Sequence, residues 1–591
     1  MQTLSPGARV TLSELILLAP LLALLLAWVS WAFRKLFRLR ASLLGWATRL
    51  LSGVSLVCSI LIALGPTPKS PAPFIIFGVD FYLDALSVYF VLLVNLVAFF
   101  ASWYTVDFLG HDSHYNNPYY DPESFHFFFN AFHLTMLLVP MVDNLVILWM
   151  AIELTTLAST LLVRYRRQRP TLEAAWKYII ITTAGIVFAL FGTILLTNAI
   201  SDDTCIDVAQ ALERTETAGI TCAQQQGSDL MRWSLLARKS TQPEQGYVYV
   251  AQTLRSELVI LSFLFVLVGY GTKAGFAPMH TWLPDGHGEA PSPVSALLSG
   301  VLLKSALYAI LRFYTITNLN QGNDHFTSGI LLFSGLFSLV LATPFILKRN
   351  KFKRVLAYHS LEHMGIITFG IGIGGGIALF GSLLHALNHA LTKALMFLTF
   401  SNVRRAYARQ QGTSEPDEER ITGVLKSMPL SGAVLLLGGL GLVGSPPFNI
   451  FFSEFIILWA AFGQIISPSQ EGAQLPWGAY ALAVALFLIT VTLIFGGLVG
   501  HLARLLLDRP PDASQGHPGP LTRGAPANSD QPRAKSVGFQ DHLGRLLPLL
   551  VLLVLILLFG VWIPTRPINF PELLHTSVRI LRCGAGGVCP R

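Results

Sequence analysis

Apolar runs of about twenty residues recur from near the N-terminus to Ile563, separated by short polar or basic stretches, and each is long enough to cross a hydrocarbon core of roughly 30 Å as a helix. The alternation places spans near 12–32, 43–64, 83–108, 125–142, 144–165, 173–199, 257–284, 291–315, 327–347, 355–373, 377–402, 429–466, 476–503 and 546–566. These roughly fourteen helices predict an all-α polytopic membrane protein, because in lipid each backbone amide must be satisfied within its own segment. Leu15 to Trp31 is followed by Arg34, Lys35, Arg38 and Arg40 and preceded only by Arg9, so it reads as a retained first span, not a signal peptide. The stretch from Pro510 to His542 is dense in Pro, Gly, Ser and Asp without apolar periodicity and reads as a flexible linker.

Composition agrees with this pattern: of 591 residues, 53% are hydrophobic and 13% charged, outside the range of soluble globular chains. The formal charge of +8 resides in clusters at Arg34 to Arg40, Arg164 to Arg169, Lys348 to Arg354, Arg404 to Arg409 and Arg504 to Arg545, with no basic groove or aromatic motif for nucleic acid. The predicted spans put all five clusters on one side, the cytoplasmic one, which leaves both termini on the outer face. Organisation then follows: spans 1–3 over 1–124, a group of five over 125–315 with an outer loop at 201–256, a second group of five over 327–503, a linker at 504–545, and the last span with an outer tail at 546–591. Of five cysteines, Cys205 and Cys222 fall in the outer loop and Cys583 and Cys589 in the outer tail, where an oxidising compartment permits two local disulfides. Unrelated thiols are the alternative, since spacing fixes no geometry.

The informative residues are ionisable groups at lipid depth, where a charge costs roughly 2.5–3.5 kcal/mol even on the lenient insertion scale and therefore marks function. Glu153 lies nine residues into its span, roughly 14 Å from the start. Lys177 opens the next span, either snorkelling to the interface or tuning Glu153. Lys273 stands between Gly271 and Gly275 shortly before Pro278, which predicts a helix broken at mid-membrane, with His280 just beyond and Lys304 in the following span. His385, His389 and Lys393 recur every four residues and stack on one helical face, and His359 and His363 share that step. The two-histidine spacing resembles a metal site, but no acid or cysteine at suitable spacing completes it and Lys393 on the same face repels a cation, so no metal is expected; satisfied core histidines are the plainer reading of His359 and His363. Glu454 follows Gly444, Pro446 and Pro447, a second predicted break. Lys273 at the seventh span and Glu454 at the twelfth mirror each other five spans apart, as two inverted five-helix repeats with discontinuous helices 7 and 12 require.

The stretches WMAIELTTLAS, GTKAGFAPMHTWLPDGHGEAPSPVSALLSGVLLK, AYHSLEHMG, HALNHALTKALMF and PPFNIFFSEF resemble the antiporter-like subunits shared by respiratory complex I, Mrp sodium/proton antiporters and membrane-bound hydrogenases, most of all the hydrogenase-4 type. The resemblance runs from about Asp84 to Pro564. It implies a proton pathway over Glu153, Lys273, Lys304, His363, His385, His389, Lys393 and Glu454, with Lys177 as the partner of Glu153 and His280 and His359 beside it. It further implies a multi-pass protein of the bacterial inner membrane, embedded in lipid and assembled with other membrane and peripheral subunits. The long lateral helix of the largest complex I member is absent here, while the loop 201–256 and the linker look longer than usual.

No haem, iron–sulfur or dinucleotide pattern occurs, so no cofactor and no catalytic residue is expected and the energy must come from a partner. The leading expectation is a proton-translocating subunit of a redox-driven, hydrogenase-like or complex I-like assembly. The alternatives are the membrane half of a dissolved-inorganic-carbon uptake complex with a soluble zinc protein, and a sodium/proton antiporter subunit.

Overall fold

The computed structural model describes residues 6–32, 41–65, 74–76, 78–112, 121–201, 204, 230–238, 250–322, 325–348, 351–411, 416, 418–466, 475–508, 543–565 and 568–584. The fold is almost wholly helical. The first six helices are α1 (Pro6–Ala32), α2 (Ala41–Leu64), α3 (Ala85–Asp112), α4 (Pro122–Met141), α5 (Leu145–Val163) and α6 (Arg169–Asn198). They are followed by α7 (Ser256–Ala274), α8 (Trp282–Glu289), α9 (Ser292–Asn320), α10 (His325–Leu347), α11 (Phe352–Ile373) and α12 (Gly375–Gln411). The last five are α13 (Pro429–Leu442), α14 (Asn449–Ile466), α15 (Trp477–Leu507), α16 (Leu543–Val561) and α17 (Phe570–Cys583).

Among the described residues, 11 helices are long and apolar enough to cross a membrane. The 22-residue α11 and the 37-residue α12 are long enough but are not among them, because their histidines, lysines and acids lower the hydropathy. Such helices stay in lipid only when other helices surround them. Both are buried along almost their whole span lengths, as is α9, whose most apolar window is 100% buried.

Two predicted spans are interrupted. The seventh ends at Ala274, where Gly275 adopts φ +80° and the chain turns before α8. The twelfth stops at Leu442 and resumes at Asn449, with Gly444 at φ +69° in the gap. Only glycine takes this left-handed conformation cheaply. Elsewhere small residues let helices approach closely: a Cβ on Gly269 of α7 would lie 2.4 Å from the Ala189 nitrogen of α6, and one on Gly335 of α10 equally close to the Phe369 nitrogen of α11.

Two elements were not predicted. A hairpin of β1 (Phe74–Ile76) and β2 (Val79–Phe81) pairs Ile75 with Asp80 and docks on the α4–α5 turn, where Tyr82 N–H donates to Met141 O and Asp143 N–H to Asp80 O. The tail after the last span contains α17, an amphipathic helix whose apolar side rests on α3, α9 and α12. Cys583 at its end is disulfide-bonded, while Cys58 is a buried free thiol; Cys205, Cys222 and Cys589 lie outside the described residues. So do residues 509–542 of the expected linker and much of the loop at 201–256.

The ends of α3 and α9 are joined by a buried ion pair that the sequence reading did not select. Arg312 donates to both oxygens of Asp84 at 2.8 and 2.7 Å and to Ser87 Oγ at 3.0 Å, with its guanidinium 3.6 Å from the Trp233 ring centroid. Near it, Asp143 accepts from Arg232 Nε and Ser234 Oγ, and burial still pushes its carboxyl above the usual range. Because removing one partner strands a buried charge, Arg312→Ala should lower stability by about 3–5 kcal/mol, whereas a double Asp84→Asn, Arg312→Met variant should recover most of that loss; thermal unfolding in detergent measures both.

Candidate functional site

The first cluster forms where α5, α6 and α7 meet. Asn144 caps α5 by accepting from Val146 and Ile147 N–H, which sets the helix so that Glu153 reaches α6, where it accepts from Thr183 Oγ1 at 2.9 Å. Thr156, one turn further, donates to Glu153 at 3.4 Å and accepts from the ammonium of Lys273, bridging the acid and the base. Lys273 is fully buried in the last turn of α7, with Nζ 5.4 Å from the Tyr178 ring centroid, and the Tyr178 hydroxyl is 2.8 Å from Ser159 Oγ. The break itself is satisfied: Phe276 N–H donates to Gly271 O and Trp282 Nε1 to Thr272 O. A cation at this helix C-terminus also meets the negative end of the dipole.

Lys177 does not pair with Glu153. Its ammonium reaches Glu173 at 2.6 Å and Asp285 of α8 at 3.1 Å, with 46% of the side chain exposed. It lies six residues before Thr183, roughly 9 Å along α6, and acids at that level capture the snorkelling side chain first. His280 is buried in the turn between α7 and α8 with no hydrogen-bond partner for Nδ1, and no side-chain hydrogen bond or ring contact ties it to either cluster.

The second cluster lies among α9, α11, α12 and α14. A wide π turn at Leu298–Leu302 frees the Ser299 carbonyl, which accepts from Lys304 Nζ at 2.8 Å, while the same ammonium lies 2.6 Å from His389 Nδ1. The His389 ring stacks on His363 with centroids 4.6 Å apart. His363 Nδ1 is 3.0 Å from His385 Nε2, and His385 Nδ1 is 3.0 Å from Ser453 Oγ. Glu454 brings a carboxylate oxygen within 4.8 Å of ligand atoms of both His363 and His385. Gly444 in the break is obligatory here, because a Cβ would come 2.4 Å from Glu454 Oε2. All of these side chains are buried.

Lys393 occupies a different place from the one its spacing implied. Its ammonium donates to the Leu356 carbonyl of α11, so the line from Lys304 to Glu454 runs through the histidines and leaves Lys393 to one side. His359 bonds Glu362 at 2.5 Å on that side, and Glu362 is a buried acid that sequence reasoning missed. The signal was present, since Glu362 stands three residues after His359 inside a span. Thr156 and Ser453 were also missed; hydroxyls leave no trace in a search for charge. Two groups could hold a cation by distance alone, His359, Glu362 and His363, and His363, His385 and Glu454. His363 Nδ1 and both nitrogens of His385 already serve the hydrogen bonds above, and the Lys304 ammonium stands beside them at His389.

Chemically, each imidazole of the second cluster can accept a proton on one nitrogen and release one from the other, and a lysine and a glutamate stand at its ends. No hydrogen bond among the described residues joins the two clusters.

Residues 142–466 match the family model described as NADH:quinone oxidoreductase/Mrp antiporter, TM. A hydrogenase-4 component F homolog from Methylacidiphilum infernorum is 34% identical over 455 residues, 76% of this chain and 85% of that one. The fold is shared with a chain of the archaeal membrane-bound sulfane sulfur reductase, at TM-score 0.69 and 19% identity over 98% of this chain and 99% of that one. A chain of the Mrp complex from Dietzia sp. DQ12-45-1b superposes at TM-score 0.69 and 18% identity over 97% of both. With its broken helices and buried histidine line, this chain belongs to the NADH:quinone oxidoreductase/Mrp antiporter transmembrane family.

Proposed function

We propose that the chain translocates protons along its buried lysine, glutamate and histidine residues as the membrane subunit of a multi-subunit redox-driven complex. The observation that carries this reading is the buried line from Lys304 through His389, His363 and His385 to Ser453 and Glu454, since groups so costly to bury are retained where protons must travel. Similarity to a hydrogenase-4 component favours a hydrogenase-like over a purely antiporting assembly. In this reading the chain has fourteen core helices in two inverted repeats, with α7–α8 and α13–α14 as the discontinuous members, sits in a bacterial inner membrane and docks against other subunits.

Lys273 takes a proton when Glu153 is ionised across Thr156 and gives it up when that field weakens. Lys304 passes its proton to His389 Nδ1, that ring releases its Nε2 proton to the stacked His363, His363 passes its Nδ1 proton to His385 Nε2, and His385 gives its Nδ1 proton through Ser453 Oγ toward Glu454. Lys393 and the His359–Glu362 pair set the local charge from the side. Lys177 and Asp285 anchor α6 to α8 at the interface rather than tuning Glu153 directly.

Lys273→Ala should reduce proton uptake by membrane vesicles carrying the native complex to background while the protein still inserts; normal uptake would exclude this path. Glu362→Gln, which keeps size but removes the charge, should slow uptake by about tenfold without loss of assembly. Replacing sodium by choline should leave uptake unchanged, and a collapse under choline would establish the sodium/proton reading instead.

A further inference from the structure

The α1–α4 unit contributes nothing to either cluster, yet its interior is polar. On α2, Thr48, Ser52, Ser55 and Ser59 recur at intervals of four, three and four, and on α4, His126, Asn130 and His133 recur at intervals of four and three, so each set forms one stripe. All seven side chains are buried. The stripes face one another as rungs. In one rung Thr48 Oγ1 is 3.2 Å from His126 Nδ1 and accepts from Asn130 Nδ2 at 3.0 Å. In the other, Ser55 Oγ donates to Asn95 Oδ1 of α3 at 2.9 Å, and His133 Nε2 is 2.9 Å from the same oxygen.

A polar seam that only glues helices satisfies its own groups. This one leaves four side-chain atoms without a hydrogen-bond partner among the described residues: Ser52 Oγ and Asn130 Oδ1 between the rungs, His126 Nε2, and His133 Nδ1. An unsatisfied buried polar atom costs about 1–3 kcal/mol, which a water held by two to four such partners removes. The oxygen of Asn95 can only accept, so His133 carries its proton on Nε2 and presents Nδ1 as a bare acceptor. The ladder covers seven residues, roughly 10 Å of depth, and begins near the first residues of α2 and α4, the end that the basic clusters place in the cytoplasm.

We infer that the seam between α2, α3 and α4 is a water-filled proton branch in which His133 is the acceptor. A proton passes from the water held by Ser52 and Asn130 to His133 Nδ1, leaving hydroxide that takes up the proton next delivered from the His126 end. The imidazolium retains its Nε2 bond to Asn95, which takes no proton, and returns its Nδ1 proton to that water, so the branch holds a proton for release on the side it came from. The inference rests on the proton-translocating function proposed above and adds a proton-holding site distinct from the lysine axis. Helix α3 stands between them, where a Cβ on Gly300 of α9 would come 3.1 Å from Val97 Cγ1.

X-ray radiolysis of the native complex, followed by mass spectrometry, labels side chains beside trapped water, and His126 and His133 should be labelled despite their burial. A Ser52→Val, Asn130→Leu variant removes the partners of that water while keeping the seam filled; it should lose both labels and take up protons severalfold more slowly, without the full loss expected of Lys273→Ala. Absence of the labels in the native complex, or uptake unchanged in the variant, overturns the branch. Lys273→Ala, measured beside it, separates this failure from that of the function: loss of uptake in Lys273→Ala with normal uptake in the double variant rejects only the branch, and normal uptake in Lys273→Ala rejects the function.

Discussion

The structure depends on the cost of holding an ionised group where lipid offers no solvation. Four buried cations of the spans are each met by a partner from another segment: Lys273 by Thr156, Lys304 by His389, Lys393 by the Leu356 carbonyl, and Arg312 by Asp84. This requirement places α9, α11 and α12 at the centre, because only wholly surrounded helices can carry so many polar groups. The apolar α15, by contrast, stays at the edge, with 33% of its most apolar window buried.

Broken backbone solves a second part of the same problem. Most carbonyls of a regular helix already accept an internal bond and offer a lysine only a second lone pair, as Leu356 does for Lys393. The end of α7 and the π turn in α9 both release backbone groups, and Lys273 and Lys304 sit at those places. Gly444 serves the other break differently, clearing room for the Glu454 carboxylate. Strength and movement are thereby separated. The Arg312–Asp84 pair is bidentate and clamped under Trp233, which suits a fixed tie, whereas the histidine line is held by single hydrogen bonds, which can reverse direction, and by one ring stack.

Sequence by itself determined the class of the protein and which helices carry its charged groups. Span length is a property of local hydrophobicity, and glycine and proline act on their own backbone, so the spans and the two interruptions were legible. The four-residue steps of His385, His389 and Lys393 fixed their common face for the same reason. Which neighbour each face meets was decided by the tertiary structure alone. Lys177 had two acids in reach, and the packing of α8 against α6 brought Asp285 to it and kept Glu153 on Thr183. Lys393 shares a face with His389 yet bonds Leu356 of α11, because one turn of rise directs the two side chains to different levels of the facing helix. Ser453 and the stripe of His126, Asn130 and His133 acquire meaning only from residues dozens of positions away. Periodicity describes one helix at a time, and a proton path is made of what several helices present to each other.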